Sequence, residues 1–320
     1  MRPVVIAHRG ASGYLPEHTL ESKALAYGLG ADFLEQDVVA TRDRELIVLH
    51  DLYLDDTTDV ASRFAGRRRA DGHFYAIDFD VAELKSLRVC ERRRRGTSDP
   101  LFGDRFPGGR TPFRINTLDE EIDLIRGLNH ATGRNVGVYP EIKHPKWHLE
   151  HGIDLSKLLL RSLAEHGYRS SDDSVFVQCF DAEELRRVRD ELGCRLRLVQ
   201  LVGSDPEHAG LLTASGLRRV AEYASGLGPS YSQLVTRGSD NAAEPTQLAG
   251  DAHAAGLAVH AYTFRRDALP PYAATLEQLI DLFLDKVGID GLFCDHPDIA
   301  VRQRDLWAKR AASLNAPAAR

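Results

Sequence analysis

Three stretches near the N-terminus decide the fold: VVIAHRG at residues 4–10, FLEQDV at 33–38 and LIVLHD at 46–51. Each is an apolar run rich in β-branched residues that ends in a side chain able to titrate or to bind a metal ion. In the second stretch, the period-two alternation of a strand places Glu35 and Asp37 on one face. Two carboxylates that point into the same space repel each other, so we expect a cation between them or a shared proton.

Composition limits the classes of partner. The chain has 320 residues, 43% of them hydrophobic, which is enough to bury a full core. Its formal net charge of -6 and isoelectric point near 6.1 give no general basic surface, so no nucleic-acid partner is expected. Two arginine runs, at 67–69 and 92–95, are interpreted as solvated loops rather than as a site for a polyanion.

Cysteine usage and hydropathy bear on the compartment. The four cysteines show no CxxC spacing, so they are expected to be reduced and structural. No stretch approaches about 18 consecutive apolar residues, and no membrane insertion is therefore expected. Because the first strand begins at Val4, the sequence as written predicts a cytoplasmic protein, or a periplasmic or secreted one if a leader was removed. These features leave the oligomeric state open.

Strand and helix patterns alternate along most of the chain. Thr19 is a helix N-cap, and the helix that follows it ends near Gly28. Eight strands precede helices, and they begin near Val4, Phe33, Val136, Val175, Leu196, Leu227, Ala258 and Gly291. Eight such units predict an α/β protein with a closed parallel (β/α)₈ TIM barrel. A doubly wound sheet is less favoured because the sequence HRGASG at residues 8–13 is not a glycine-rich phosphate loop.

One segment interrupts the alternation. From Leu52 to Arg114, Gly, Pro, Arg and Asp crowd together, with only a weak helical pattern near 81–89. We interpret residues 52–114 as an insertion after the His50 strand, within a single catalytic domain that spans residues 1–320. Without this insertion the chain has about 250 residues, the usual size of the barrel fold. The insertion is expected to form a cap that limits how bulky a substrate can enter.

In a barrel of this kind the C-terminal strand ends converge on one mouth. The chemically capable residues expected there are His8, Arg9, Glu35, Asp37, His50, Glu141, Lys143, Gln178, Phe180, Gln200, Tyr262, Arg265 and Asp295. Three of them, Glu35, Asp37 and Glu141, are oxygen ligands with no cysteine among them. This donor set predicts one divalent cation, Ca²⁺ or Mg²⁺, in preference to Zn²⁺.

Together these motifs resemble those of the glycerophosphodiester phosphodiesterases. The resemblance rests on HRG at 8–10, Glu35-x-Asp37, HD at 50–51, PEIK at 140–143 and GLFCD at 291–295. It covers most of the chain and looks closest to the bacterial periplasmic branch of that family. It implies a (β/α)₈ barrel with a divalent cation and metal-dependent hydrolysis of glycerophosphodiesters to glycerol 3-phosphate and an alcohol.

The resemblance also implies roles for individual residues. It implies metal ligation by Glu35, Asp37 and Glu141, acid-base catalysis by His8 and His50, and phosphate contacts from Arg9 and Lys143. Further candidate substrate contacts are Gln178, Phe180 and Tyr262, of which the two aromatic residues either pack or meet the glycerol carbons. Other histidines, including His18 and His260, are interpreted as hydrogen-bonded core residues.

Two other classes of function are considered. A lysophospholipase D or a sphingomyelinase D-like phosphodiesterase would reuse the same barrel and metal, but it would need a broad apolar groove for an acyl chain. The insertion is instead polar and rich in arginine. A catalytically silent binding module would be expected to lack His8, His50 or one of the carboxylates, and the sequence retains all of them.

Overall fold

The computed structural model describes residues 2–108, 112–238 and 243–314. Its strands are β1 (Val4–Ala7), β2 (Phe33–Ala40), β3 (Leu46–Val48), β4 (Gly137–Ile142), β5 (Phe176–Cys179), β6 (Arg197–Val202), β7 (Gly226–Pro229), β8 (Val235–Arg237), β9 (Ala243–Pro245), β10 (Ala258–Phe264) and β11 (Gly291–Cys294).

The described helices lie mainly between these strands. They are α1 (Leu20–Gly28), α2 (Val60–Arg63), α3 (Val81–Ser86), α4 (Leu118–Thr132), α5 (Pro145–Glu150), α6 (Leu155–Glu165), α7 (Ala182–Asp190), α8 (Ala214–Ala221), α9 (Leu248–Ala254), α10 (Leu276–Leu282) and α11 (Pro297–Leu314). Short 3₁₀ turns occur at Ala65–Arg67, Ala76–Asp78, Pro206–Leu211 and Tyr231–Gln233, and a π-helical turn at Phe283–Val287. No helix in the described ranges has both the length and the apolar character needed to cross a bilayer.

Eight parallel strands close into a barrel. Their order is β1, β2, β4, β5, β6, β7, β10 and β11, and β11 pairs again with β1. Each of these strands leads into a helix before the next barrel strand begins. The (β/α)₈ TIM barrel predicted from the sequence is therefore confirmed, with all eight strands at their predicted positions.

Side chains fill the barrel because alternate residues of each strand point inward. The interior cluster consists of Ile6, Phe33, Tyr139, Phe176, Val199 and Phe293. Outward residues such as Leu34 and Val38 join the larger core beneath the surrounding helices. Helix α1 begins as predicted, because the Thr19 hydroxyl accepts a hydrogen bond from the Ser22 amide.

The insertion contains a small hydrophobic core of its own. Phe74 and Phe79 are fully buried there together with Leu54 and Leu84, and Ile47 of β3 packs against the same cluster. The weak helix predicted near 81–89 is α3. Tyr75 of the insertion also stacks on Trp147 of α5, with ring centroids 5.5 Å apart. Residues 109–111 of the insertion lie outside the described residues.

Three strands among the described residues lie outside the barrel, and the sequence did not predict how they pair. The strand that precedes His50 is not a barrel strand: β3 pairs antiparallel with β2, with Val48 opposite Val38. The chain reverses its direction after β2, and the residues after β3 return to the barrel mouth. There the Leu49 amide donates to the Asp37 carbonyl. An antiparallel hairpin of β8 and β9 was not predicted either. It lies between β7 and α9.

The sequence had predicted that both arginine runs lie in solvated loops. This prediction is wrong for at least one arginine of each run. The side chain of Arg92 is only 14% exposed and forms ion pairs with Glu17 and Asp51. Arg69 is one-third exposed and pairs with Asp78 within the insertion. Carboxylate partners hold both arginines, and those of Arg92 lie 41 and 75 positions away in the sequence.

Candidate active site

Strand register brings the three predicted metal ligands together. Asp37 of β2 lies directly beside Glu141 of β4, and Glu141 lies beside Gln178 of β5. Glu35 precedes Asp37 by one inward-facing position, above Phe33 in the barrel interior. One carboxylate oxygen each from Glu35, Asp37 and Glu141 can be chosen so that all three lie within 4.8 Å of one another.

The ionisation of these carboxylates is strongly shifted. Burial, together with the neighbouring Asp37 and Glu141, raises the pKa of Glu35 to about 8. Burial likewise raises the pKa of Glu141 to about 7, and Lys143 opposes that shift. Burial would raise the pKa of Asp37 as well, but Lys143 and His18 hold it well below its usual range. Without a bound cation, protons thus relieve part of the repulsion within the cluster.

The cluster fits a hard divalent cation. All three candidate ligands are carboxylates and all are buried. Their surroundings hold them in place: the Arg9 amide donates to Glu35 over 2.8 Å, His18 Nε2 lies 2.7 Å from Asp37 Oδ2, and Gln178 Nε2 donates to Glu35 over 2.9 Å. Gln178 Oε1 is buried and has no hydrogen-bond partner among the described residues. The arrangement is a crowded oxygen site, as such a cation requires.

His8 follows β1 and enters the mouth on the inward face. Its Nδ1 atom lies 2.6 Å from Asp295 Oδ1, and its Nε2 atom lies 3.9 Å from Glu35 Oε2. Burial lowers the pKa of His8 to about 4, while Asp295 opposes this shift. The chain then turns sharply, because Arg9 has a φ of +57° and Gly10 a φ of +88°. A side chain at Gly10 would collide with Ser22 of α1, so this turn depends on glycine.

His50 reaches the mouth from the loop after β3. Its Nδ1 atom lies 2.8 Å from Asp51 Oδ1, and its side chain is 32% exposed, compared with 10% for His8. Burial, Arg9 and Lys143 lower the pKa of His50. The imidazole is therefore neutral near pH 7 in the free protein and can accept a proton.

Two cationic side chains flank the carboxylates. Lys143 Nζ lies 2.8 Å from Glu141 Oε1 and 3.7 Å from Asp37 Oδ1. Arg9 donates to both Glu17 oxygens over 3.1 Å, and its Nε atom lies 3.6 Å from Asp37. That Nε atom is buried without a hydrogen-bond partner in the part of the chain that the structure describes. Both cations are thus placed to meet an anionic group at the mouth.

A cavity of about 340 Å³ occupies this mouth. Eleven of the thirteen residues expected at the mouth line it: His8, Arg9, Glu35, Asp37, His50, Glu141, Lys143, Gln178, Phe180, Tyr262 and Arg265. Asp295 instead contacts His8 Nδ1, and the expectation for Gln200 is wrong, because its buried amide bonds to the Phe180 carbonyl and the Tyr223 hydroxyl. Phe180 and Tyr262 meet edge to face with ring centroids 6.0 Å apart, and the Tyr262 hydroxyl donates to the Val202 carbonyl. These two aromatic rings form an apolar part of the cavity wall.

A larger cavity of about 840 Å³ adjoins the first. The two share His50, Glu141, Lys143 and Phe180. The outer walls of the larger cavity carry charged residues from α5, α7 and the 206–211 turn, including Lys146, Glu150, Asp181, Glu183 and Glu207. The smaller cavity therefore opens into a wider space whose walls combine charged side chains with apolar ones such as Trp147, Phe180 and Leu211.

The sequence did not predict that several arginines of the insertion contact residues of the site. Arg92 of the insertion binds Asp51 and Glu17, and Arg105 binds Asp295 over 2.6 Å. Their partners lie 41, 75 and 190 positions away along the chain. No local pattern signals contacts at such separations. His18 is a hydrogen-bonded core residue as expected, and its partner is the proposed ligand Asp37.

Comparison with known proteins agrees with this geometry. Residues 8–299 match the Glycerophosphoryl diester phosphodiesterase family. The Glycerophosphodiester phosphodiesterase of Haemophilus influenzae is 41% identical over 323 residues, which cover 93% of this chain and 88% of that protein. The enzyme of the same name from Treponema pallidum is 37% identical, covering 93% of this chain and 91% of that protein.

Solved structures share the fold. A putative glycerophosphoryl diester phosphodiesterase from Silicibacter pomeroyi superposes with a TM-score of 0.72 at 24% identity, covering 96% of this chain and 95% of that one. An Oleispira antarctica phosphodiesterase in complex with the product sn-glycerol-3-phosphate gives 0.65 at 23% identity, with 95% and 97% covered. The family match and the sequence relatives confirm what the motifs predicted: the chain is an enzyme that belongs to the glycerophosphoryl diester phosphodiesterase family.

Proposed function

We propose that the protein hydrolyses glycerophosphodiesters to glycerol 3-phosphate and an alcohol, with one divalent cation held by Glu35, Asp37 and Glu141. The observation that carries this proposal is the meeting of three buried carboxylates with two histidines and two cationic side chains in one cavity. The names of the relatives from Haemophilus influenzae and Treponema pallidum support the substrate class.

The charges of the site suit a phosphodiester. A bound Ca²⁺ or Mg²⁺ would offset the negative charge that grows on the phosphoryl oxygens during displacement. Arg9 and Lys143 lie beside the carboxylates and are placed to bind the remaining phosphoryl oxygens. Phe180 and Tyr262 are the candidate wall for the glycerol carbons, and Gln178 is a further candidate contact.

The two histidines are proposed to move the protons. The nucleophile, a water or a hydroxyl of the glycerol itself, must lose a proton while the leaving alkoxide gains one. In His8 and His50 the Nδ1 atom faces a carboxylate, which leaves Nε2 of each ring for the reaction. Either histidine can be the acid and either the base under this proposal.

A small, water-soluble substrate is favoured over a lipid. A lysophospholipase D or sphingomyelinase D-like activity would need an apolar groove for an acyl chain, whereas the smaller cavity, which contains the candidate metal ligands and histidines, is lined mostly by charged and polar side chains. The cytoplasmic location, or a periplasmic or secreted one after removal of a leader, stays a prediction. The cap role of the insertion also stays a prediction, and the described residues of the insertion lie beside the smaller cavity rather than in its lining.

The proposal is tested by an assay coupled to glycerol 3-phosphate dehydrogenase. The substrates are glycerophosphocholine, glycerophosphoethanolamine and glycerophosphoglycerol, compared with vesicles of lysophosphatidylcholine. We expect turnover of the soluble diesters, strong loss in Glu141→Gln, and no loss in the control variant Glu165→Gln, whose side chain is 65% exposed on α6 and lines neither cavity. Preferential turnover of the vesicles, with release of free choline from the lysolipid, would contradict the proposed substrate class.

A further inference from the structure

Arg92 belongs to the insertion, yet its side chain binds two carboxylates beside the barrel mouth. Its Nε and Nη2 atoms donate to the two oxygens of Glu17 over 2.9 and 2.6 Å, and its Nη1 atom donates to Asp51 over 2.6 Å. The guanidinium therefore binds two carboxylates at once through three hydrogen bonds. Only an arginine offers this planar fork of donors.

One arm of this contact leads to His50. Asp51 accepts from Arg92 through Oδ2, and its other oxygen, Oδ1, lies 2.8 Å from His50 Nδ1. Among the described residues, Arg92 is the one lysine or arginine that forms an ion pair with Asp51. The orientation of the Asp51 carboxylate, and through it the orientation of the imidazole, thus depends on Arg92.

The other arm leads to Arg9. Glu17 accepts one hydrogen bond from Arg92 at each of its two oxygens. Arg9 Nη1 donates to the same two oxygens over 3.1 Å. The order of groups is Arg9, Glu17, Arg92 and Asp51, so that charges alternate. All four side chains are less than 20% exposed, which keeps water from competing for these hydrogen bonds.

A second arginine of the insertion makes a parallel contact on the other side of the site. Arg105 donates to Asp295 over 2.6 Å, and Asp295 holds His8 Nδ1. Asp295 has a second cationic partner, because Arg265 Nε also donates to it over 3.0 Å. The carboxylate behind His8 is therefore held twice, whereas the carboxylate behind His50 relies on Arg92 alone among the described lysines and arginines.

We propose that Arg92 is a positioning residue for the reaction, which sets His50 through Asp51 and Arg9 through Glu17. The insertion then belongs to the catalytic apparatus, since the site is complete only when the insertion is docked on the barrel. This inference rests on the roles proposed above for His50 and Arg9. The alternative is that Arg92 merely anchors the insertion, in which case its loss lowers stability without a specific effect on turnover.

The test compares Arg92→Met and Arg92→Lys with the matched control Arg69→Met. Arg69 also belongs to the insertion and binds both oxygens of Asp78 over 2.7 Å, but it does not contact the site. We expect kcat to fall by a factor of about 10 to 100 in Arg92→Met, less in Arg92→Lys, and not at all in Arg69→Met. Thermal unfolding and metal binding are measured on each variant, and kcat is measured well below the unfolding midpoint of the least stable one.

A double-mutant cycle separates positioning from anchoring. If Arg92 acts through Asp51, then Arg92→Met combined with Asp51→Asn loses little more turnover than the worse single variant. A wild-type kcat in folded Arg92→Met, or fully additive losses in the double variant, would overturn the inference. The variant His50→Ala in the same assay keeps the two proposals apart. If His50→Ala stays active, the proposed roles fail, whereas if only Arg92→Met stays active, the inference alone fails.

Discussion

Both candidate catalytic histidines have one ring nitrogen tied to a carboxylate. His8 Nδ1 faces Asp295 and His50 Nδ1 faces Asp51, over 2.6 and 2.8 Å. Such a contact sets the tautomer and the ring orientation before a substrate arrives, and it stabilises the imidazolium that forms when Nε2 takes up a proton. The two rings are therefore pre-oriented toward the cavity that both residues line.

Removal of either histidine should reduce turnover without loss of the fold. We expect kcat to fall by a factor of about 10² to 10⁴ in His8→Ala and in His50→Ala, the usual effect of one proton-transfer group. The double variant should be little worse than either single one, because the two groups act together on one reaction. Steady-state kinetics, with metal affinity measured by calorimetry, check this expectation.

A surface histidine provides the control. His253 is 41% exposed and pairs with Asp290 away from the cavity, so His253→Ala should keep the wild-type kcat.

The leaving group separates the roles of the two histidines. A nitrophenol leaving group is acidic and needs no proton when it departs, so such a diester should rescue the variant that lacks the acid but not the one that lacks the base. Near-normal kcat in both His8→Ala and His50→Ala would show that the two-histidine mechanism is wrong.

Metal affinity should depend on pH through Glu35 and Glu141. Burial raises the pKa of these carboxyls to about 8 and about 7, so below these values the metal-free site holds protons that a cation must displace. The apparent affinity for Ca²⁺ or Mg²⁺ should accordingly rise with pH, by up to about tenfold per pH unit for each proton released, and level off above about pH 8.

Isothermal titration calorimetry in two buffers of different ionisation enthalpy measures this release directly. Below the pKa of Glu141 we expect a net release of protons on metal binding, and the release should shrink as the pH rises past the pKa of Glu35. An affinity that stays constant from about pH 6 to about pH 8.5 would contradict the prediction that cation binding displaces protons from these carboxyl groups.

At the level of elements, strand β2 determines most of the site. Its alternation sends Phe33, Glu35 and Asp37 inward, and its register with β4 places Asp37 beside Glu141. The alternation is a local pattern, so the sequence predicted it together with the eight barrel strands, whereas the register between β2 and β4 pairs distant residues and was seen only in the structure. A strand run is recognisable from its own residues, and the parallel closure follows from the repeated alternation with helices.

The contacts made by the insertion depend instead on long-range pairing. Four consecutive arginines at 92–95 look alike in sequence, yet Arg92 folds back onto Glu17 and Asp51. The direction of β3 was unpredictable for a related reason, because an apolar run of three residues does not reveal which way its partner strand points. Local patterns thus predicted most of the residues that line the cavity but not the residues that hold them in place.

The insertion core should control both stability and turnover. Phe79 is fully buried and packs edge to face on Phe64 with ring centroids 5.3 Å apart. We expect Phe79→Ala to lower the free energy of unfolding by about 3–5 kcal/mol. Because the insertion carries Arg92, its loosening should also lower kcat at temperatures where the barrel remains folded.

Urea unfolding followed by circular dichroism, with kcat measured in parallel, checks this prediction. The control variant is Leu149→Ala, since Leu149 is a large apolar side chain that is 43% exposed. This control should change the free energy of unfolding by less than about 0.5 kcal/mol. A Phe79→Ala protein as stable as the wild type would contradict the stability part of the prediction. A destabilised variant whose folded fraction keeps the wild-type kcat would contradict the link between the insertion core and turnover.

At the scale of the whole molecule, closure of the barrel joins distant parts of the chain at one site. β1 pairs with both β2 and β11, which brings His8 next to Glu35 on one side and Asp295 on the other. A cation bound at the carboxylates therefore links strands from the first and middle parts of the chain. Because such a ligand binds only the folded state, it should raise the thermal unfolding midpoint in proportion to the logarithm of its concentration.

The central claim is that these carboxylates hold the cation on which hydrolysis depends. Its most direct test is the rate of sn-glycerol 3-phosphate release from glycerophosphocholine after exhaustive chelation, followed by titration with Ca²⁺ or Mg²⁺. We predict that chelation abolishes the rate, that one of these cations restores it, and that Asp37→Asn and Glu141→Gln need a higher cation concentration for half-restoration, by a factor of about 10 to 100. Full activity in the chelated wild-type protein would contradict the account.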